Sequence, residues 1–169
     1  MSMFDRQSIL GMIPHSGSMC LLDDVLDWDE ASIRCQSRRY RDKNNPMRRP
    51  NGELGTACGI ELAAQAMAVH CRLLAESEGP PQRGFLVSLR DTELCTSRLD
   101  EIAGDLVIDA KRLVGDAISA VYQFELTVHG FKLLGGRATV LLEAEQKGLG
   151  QESPLQTKPA SLPAQKRIE

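Results

Sequence analysis

The sequence is poor in the residues that build metal and redox centres. Its three histidines, His15, His70 and His129, lie far apart, and its five cysteines, at positions 20, 35, 58, 71 and 95, form no CxxC pair. With no HxxxH or HxH spacing either, no metal site is expected. An odd number of cysteines at irregular gaps argues against a disulfide framework and for free thiols in a reducing compartment. No apolar run approaches the roughly 18–20 residues that a membrane span needs, and the N-terminus lacks a basic stretch followed by an apolar core, so a cytoplasmic protein without membrane contact is expected. Positive charge is not in excess. The 20 Lys and Arg face 23 Asp and Glu, a net charge of -3, which argues against nucleic acid as a partner of the whole surface.

What is there is enough to fill a core. The 169 residues, 42% hydrophobic and 25% charged, describe one soluble domain. Residues 145–169 are dominated by Gln, Ser, Pro, Lys and Gly without apolar period, too little to offset their ordering entropy, so the folded domain is expected over 1–144 and an unfolded tail beyond it. Residues 57–75, rich in Ala, Leu and Met and bounded by glycines and Gly79-Pro80-Pro81, predict a long helix. It is apolar nearly all round, which predicts that other elements wrap it on most sides. Strands are expected at 21–28, 31–37, 83–95, 105–113, 117–128 and 131–142, with a short helix at 8–12. In 117–128 the period of two is plain: Ile118, Ala120, Tyr122, Phe124, Leu126 and Val128 alternate with mostly polar neighbours. Gly115-Asp116 and His129-Gly130 stand where hairpin turns belong. The order gives an α+β chain, a curved, mostly antiparallel sheet wrapped around one long central helix, which is the hotdog arrangement.

Glu61 is the leading candidate for chemistry. A carboxylate one turn into an apolar helix is costly unless it is paired, hydrogen-bonded or neutral. Gln65 lies one turn above it, and at about 100° per residue Arg72 falls within about 20° of it around the axis, so the three make one polar stripe. A solvent-facing stripe, or a structural carboxylate tied into Gln65, is the plainer alternative. Gly59, at the helix start, is expected to leave backbone N–H groups open to a developing oxyanion. An acid or base beside an oxyanion site is the minimum for chemistry next to a carbonyl. His15, in the turn-like run Ile13-Pro14-His15-Ser16-Gly17-Ser18-Met19, and His70, on the far side of the helix, are expected to be structural. Arg38, Arg39, Arg41, Lys43, Arg48 and Arg49 put six positive charges into twelve residues. Such a run is commonly a solvated loop; its functional reading is contact with an acidic partner or a ligand phosphate, through Arg48 and Arg49.

Two segments resemble a known family. Ile13-Pro14-His15 followed by Leu21-Leu22-Asp23-Asp24-Val25 is similar to the opening of 3-hydroxyacyl-[acyl-carrier-protein] dehydratases of the hotdog superfamily, and Glu61-Leu62-Ala63-Ala64-Gln65-Ala66 is similar to their central-helix motif. Residues 41–48, with Gly59-Ile60-Glu61, look closest to dehydratase-like proteins of aryl polyene and polyketide-type pathways. The resemblance implies a double hotdog, as homodimer or heterodimer with a homologue, whose site joins a histidine of one chain to the helix carboxylate of the other. It implies a substrate carried as a thioester on the phosphopantetheine of an acyl carrier protein or on coenzyme A, with no other cofactor. Glu61 takes the carboxylate's position and Gly59 the helix-start amide. Tyr40 stands where the histidine belongs, which makes it the doubtful replacement. An acyl thioesterase using Glu61, and a non-catalytic subunit that pairs with an active homologue, are the alternatives.

Overall fold

The computed structural model describes residues 1–75 and 79–143, so the expected tail at 145–169 lies outside the described residues. The chain opens with a two-residue strand, β1 (Phe4–Asp5), and the helix α1 (Arg6–Met12), whose first turn Asp5 caps by accepting from the Ser8 N–H. The hairpin β2 (Asp24–Trp28) and β3 (Ser32–Ser37) follows, then a long loop and the central helix α2 (Gly59–Ala75). The remaining strands are β4 (Gly84–Leu94), β5 (Leu106–Gly115), β6 (Ser119–Val128) and β7 (Phe131–Leu142). They form one seven-stranded sheet in the order β1-β2-β3-β5-β6-β7-β4, and every pairing is antiparallel. This is the α+β hotdog fold that the pattern of elements predicts.

The alternation in β6 does what its period requires. Ala120, Tyr122, Phe124, Leu126 and Val128 are buried toward α2, beside Leu106, Ile108 and Ala110 of β5 and Leu134, Ala138 and Val140 of β7. The β6–β7 turn is two residues long, and both His129 (φ 51°) and Gly130 (φ 80°) have the positive φ that matches hairpin twist. On α2, Leu62, Ala63, Ala66, Met67 and Val69 pack into this core. Burying each of the large ones contributes about 1.5–3 kcal/mol.

The sheet wraps α2 but leaves one face partly open: Glu61, Ala64, Ala68, Cys71 and Arg72 are partly exposed there and Ala75 is exposed. The strand at β4 does not enter the core. Apart from half-buried Ser88 it is exposed along its whole length, including Phe85, Val87 and Leu94, each more than half exposed. Among the described residues it pairs with β7 alone and so forms an edge of the sheet.

Candidate active site

The open face of α2 lines a cavity of about 130 Å³. Glu61, Ala64, Ala68, Cys71, Arg72 and Ala75 make one wall, Phe85 and Leu86 of β4 with Val140 and Leu142 of β7 another, and Met12, Pro14 and His15 close the end near Glu61. Alanines at one-turn spacing leave room beside the helix, so the cavity is an apolar trough with a carboxylate toward one end and a guanidinium toward the other.

His15 Nε2 lies 3.0 Å from Glu61 Oε1. A carboxylate only accepts, so the imidazole donates. The same oxygen accepts from Gln65 Nε2 at 3.0 Å, whereas Oε2 has no hydrogen-bond partner among the described residues. One oxygen is thus pinned by two donors and the other remains for a ligand. Burial pushes the Glu61 carboxyl up, but the hydrogen bonds from His15 and Gln65, with the charge of His15, outweigh it and hold the group below its usual 4.5. At neutral pH Glu61 is a carboxylate.

The pair answers two expectations at once. His15 is not confined to a structural turn; it is the neighbour of the carboxylate. Gln65 is fully buried and not open to a substrate: both amide N–H groups are used, donating to Met19 O (2.8 Å) and to Glu61, and its Oε1 accepts from Leu21 N (2.9 Å). It fastens the loop after His15 to α2 and aims Glu61. The helical period reveals that Glu61 and Gln65 share a face. It carries no signal for a contact to residue 19 or 21, more than forty positions away.

The other expected site residues lie elsewhere. Gly59 N–H donates to Thr56 O in the tight turn ahead of α2, so it is not open to an oxyanion. The residue is a glycine for packing reasons, since a Cβ there would come within 2.8 Å of the Leu126 and Leu134 methyls. Tyr40 does not face the cavity. It is fully buried, and its hydroxyl lies 2.8 Å from both Ile102 O and Gly104 O, with one proton to donate. Burial pushes its phenol above the usual value, and it takes no part beside Glu61. The arginines of 38–49 are interlaced with acids: Arg38 with Asp24, Arg39 with Asp23, Arg41 with Asp105, Arg48 with Asp100 and Arg49 with Glu53. Arg48 also donates to the carbonyls of Arg41, Asp42 and Gly52, so it staples its own loop rather than offering a free cation. His70 is structural as expected, bridging Tyr122 Oη (2.9 Å) and Asp29 O (2.7 Å). Among the described residues no group of three His, Cys, Asp or Glu could hold a metal, and no helix is long and apolar enough to cross a membrane.

The sequence profile of the ApeP-like family, described as ApeP dehydratase, matches residues 7–150. The chain belongs to the ApeP-like dehydratase family. Among solved structures it is similar to the dehydratase heterocomplex ApeI:P from Xenorhabdus doucetiae, with a TM-score of 0.72 and 23% identity over 81% of this chain and 91% of that one. A mutant thioesterase from Pseudomonas aeruginosa matches with a TM-score of 0.55 and 14% identity over 83% of this chain and 94% of that one. Thioesterase superfamily member 2 of zebra fish matches with a TM-score of 0.54 and 18% identity over 82% and 95%. At these identities the structures establish the fold. No curated protein matches the sequence.

The depressed Glu61 carboxyl makes a checkable statement about stability. Its contribution is complete above the unfolded value of 4.5 and is lost as pH falls through the lower folded value. Asp100, held well below the usual 3.8 by hydrogen bonds from Arg98 and from Leu54 N, acts in the same direction. The melting temperature should therefore be level from neutrality to about pH 5 and fall below it, and Glu61→Gln should remove part of that acid sensitivity; an unchanged acid limb in the variant would show that the pair does not exist in solution.

Proposed function

We propose that the chain dehydrates 3-hydroxyacyl thioesters, carried on the phosphopantetheine of an acyl carrier protein or on coenzyme A, as one half of a complex with a second hotdog subunit. The observation that carries this reading is Glu61, pinned through Oε1 and open through Oε2 at the end of an apolar trough. In the reaction the C2–H bond breaks and its proton goes to a base; the C3–O bond breaks as the hydroxyl gains a proton and leaves as water; the C2–C3 double bond forms. No electrons are exchanged with any other reagent. An ionised carboxylate at Oε2 suits the first transfer.

Among the described residues no histidine is free to serve as the second proton-transfer group. Nε2 of His15 is committed to Glu61 and its Nδ1 is buried; His70 is fully buried, and His129 belongs to a turn. This favours a partner that brings its own proton donor to the trough. A route exists, because β4 borders both the trough and a sheet edge that has no further strand partner among the described residues and carries Leu86, Leu89 and Leu94. Changing Leu89 and Leu94 together to Lys should leave the chain folded but abolish pairing, read as a single small species by light scattering where the unaltered chain forms a larger one.

Mass spectrometry of 3-hydroxyacyl thioesters incubated with the chain alone, and with a histidine-bearing hotdog homologue, tests the reading. The expected product is the enoyl thioester, formed in the mixture. Free acid would instead identify a thioesterase, a reading favoured by the same ionised Glu61, which could direct a water at the thioester carbonyl. Enoyl thioester made by the mixture at an equal rate with Glu61→Gln would leave the chain a non-catalytic subunit.

A further inference from the structure

The loop that carries His15 is gripped from two sides. Arg6, half-buried at the start of α1, directs its guanidinium at three carbonyls of that loop: Nη1 donates to Cys20 O and to Leu22 O (3.3 Å), and Nη2 to Gly17 O (2.6 Å). From α2, Gln65 takes Met19 O and Leu21 N. Two side chains therefore bind five backbone groups between Gly17 and Leu22. The loop has little regular structure of its own, a single 3-10 turn at Gly17–Met19 without a side-chain cap. His15 itself is anchored at its tip: among the described residues its ring has no polar partner apart from Glu61, and its Nδ1 is buried without one. Where the imidazole stands thus depends on where the backbone that follows it is held.

We infer that Arg6 is a positioning residue for the Glu61 carboxylate, acting through His15 by fixing the backbone of residues 17–22. A guanidinium suits the task because its planar fork carries five donors and reaches three carbonyls at once, whereas an ammonium is a single point. Arg6 is not among the residues lining the trough, so it has no direct part in the chemistry. Its effect on turnover rests on the dehydratase reading; its effect on the His15–Glu61 contact does not.

The test uses the full chain with ¹³C-labelled glutamate, the Glu61 carboxyl signal being assigned by its absence in Glu61→Gln. Arg6→Ala should raise the Glu61 titration midpoint to the value found in His15→Ala, and the double variant should raise it no further. Arg6→Lys should recover most of the melting temperature but not the midpoint. With the partner present, kcat should fall on the order of ten- to a hundred-fold with KM little changed, the cost of a misplaced reacting group. A wild-type midpoint in Arg6→Ala, alongside a lowered melting temperature, would reduce Arg6 to a structural residue and overturn the inference. Should Arg6→Ala fail to fold, a wild-type midpoint in Arg6→Lys overturns it equally. A midpoint that moves as expected in a protein that dehydrates nothing upholds the positioning role and removes the dehydratase reading instead.

Discussion

Glu61→Gln is expected to lower turnover of a 3-hydroxyacyl thioester by about a hundred-fold or more, the scale of a lost acid–base group, while the melting temperature at neutral pH moves by only a few degrees. The amide keeps the shape of the side chain, and its oxygen can still accept from His15 and Gln65, which now meet Oε1 at 3.0 Å each. What disappears is the ionised oxygen that faces the trough. Time courses by mass spectrometry, run beside thermal melts, check both halves. Turnover retained within a few-fold would remove Glu61 from the chemistry and, with it, the strongest reason for placing the reaction in this cavity.

The second large effect is on stability. Tyr40→Ala should cost about 3–5 kcal/mol, as removal of a buried aromatic ring does. In a chain of this size the melting temperature then falls on the order of 10 °C. The ring fills core space at the root of the 38–49 loop, and its hydroxyl serves the Ile102 and Gly104 carbonyls; its backbone O accepts from Asn45 Nδ2 at 3.2 Å. Tyr40→His shortens the side chain and takes the donor away from those carbonyls, so it should destabilise the protein and yield no gain in dehydration. A dehydration rate raised by Tyr40→His would show that position 40 reaches substrate after all. In the ApeP-like chain described here, that position is occupied by a structural tyrosine.

The elements were legible where one physical demand dominated. The two-residue period of β6 and the apolar length of α2 each report burial on a definite face, and their positions follow from sequence within a few residues. The two-residue strand β1 has no period to show, and it exists only through pairing of Phe4 with Val25 and Asp5 with Asp24. The strand at β4 was legible as a strand but not as an edge, because Gly84–Leu94 carries apolar residues whether or not its own chain covers them. In the site, Glu61 stood out because an ionisable group in an apolar helix needs an explanation. His15 did not, since its role depends on a loop held by Gln65 and Arg6, contacts between residues remote in sequence. Gly59 misled for a related reason: a glycine at a helix start reads alike whether a ligand or the methyls of Leu126 and Leu134 approach it.

The exposed β4 edge also constrains how the protein must be produced. An eleven-residue strand whose outer side has no strand partner among the described residues, with Phe85, Val87 and Leu94 more than half exposed, offers a template on which an extended chain can add itself. On the proposed pairing with a second hotdog subunit, copies of this chain made in excess of that subunit are expected to associate through this edge. Co-expression of the two should then raise the share of this chain found in the soluble fraction, and an unchanged share would show that the edge needs no cover.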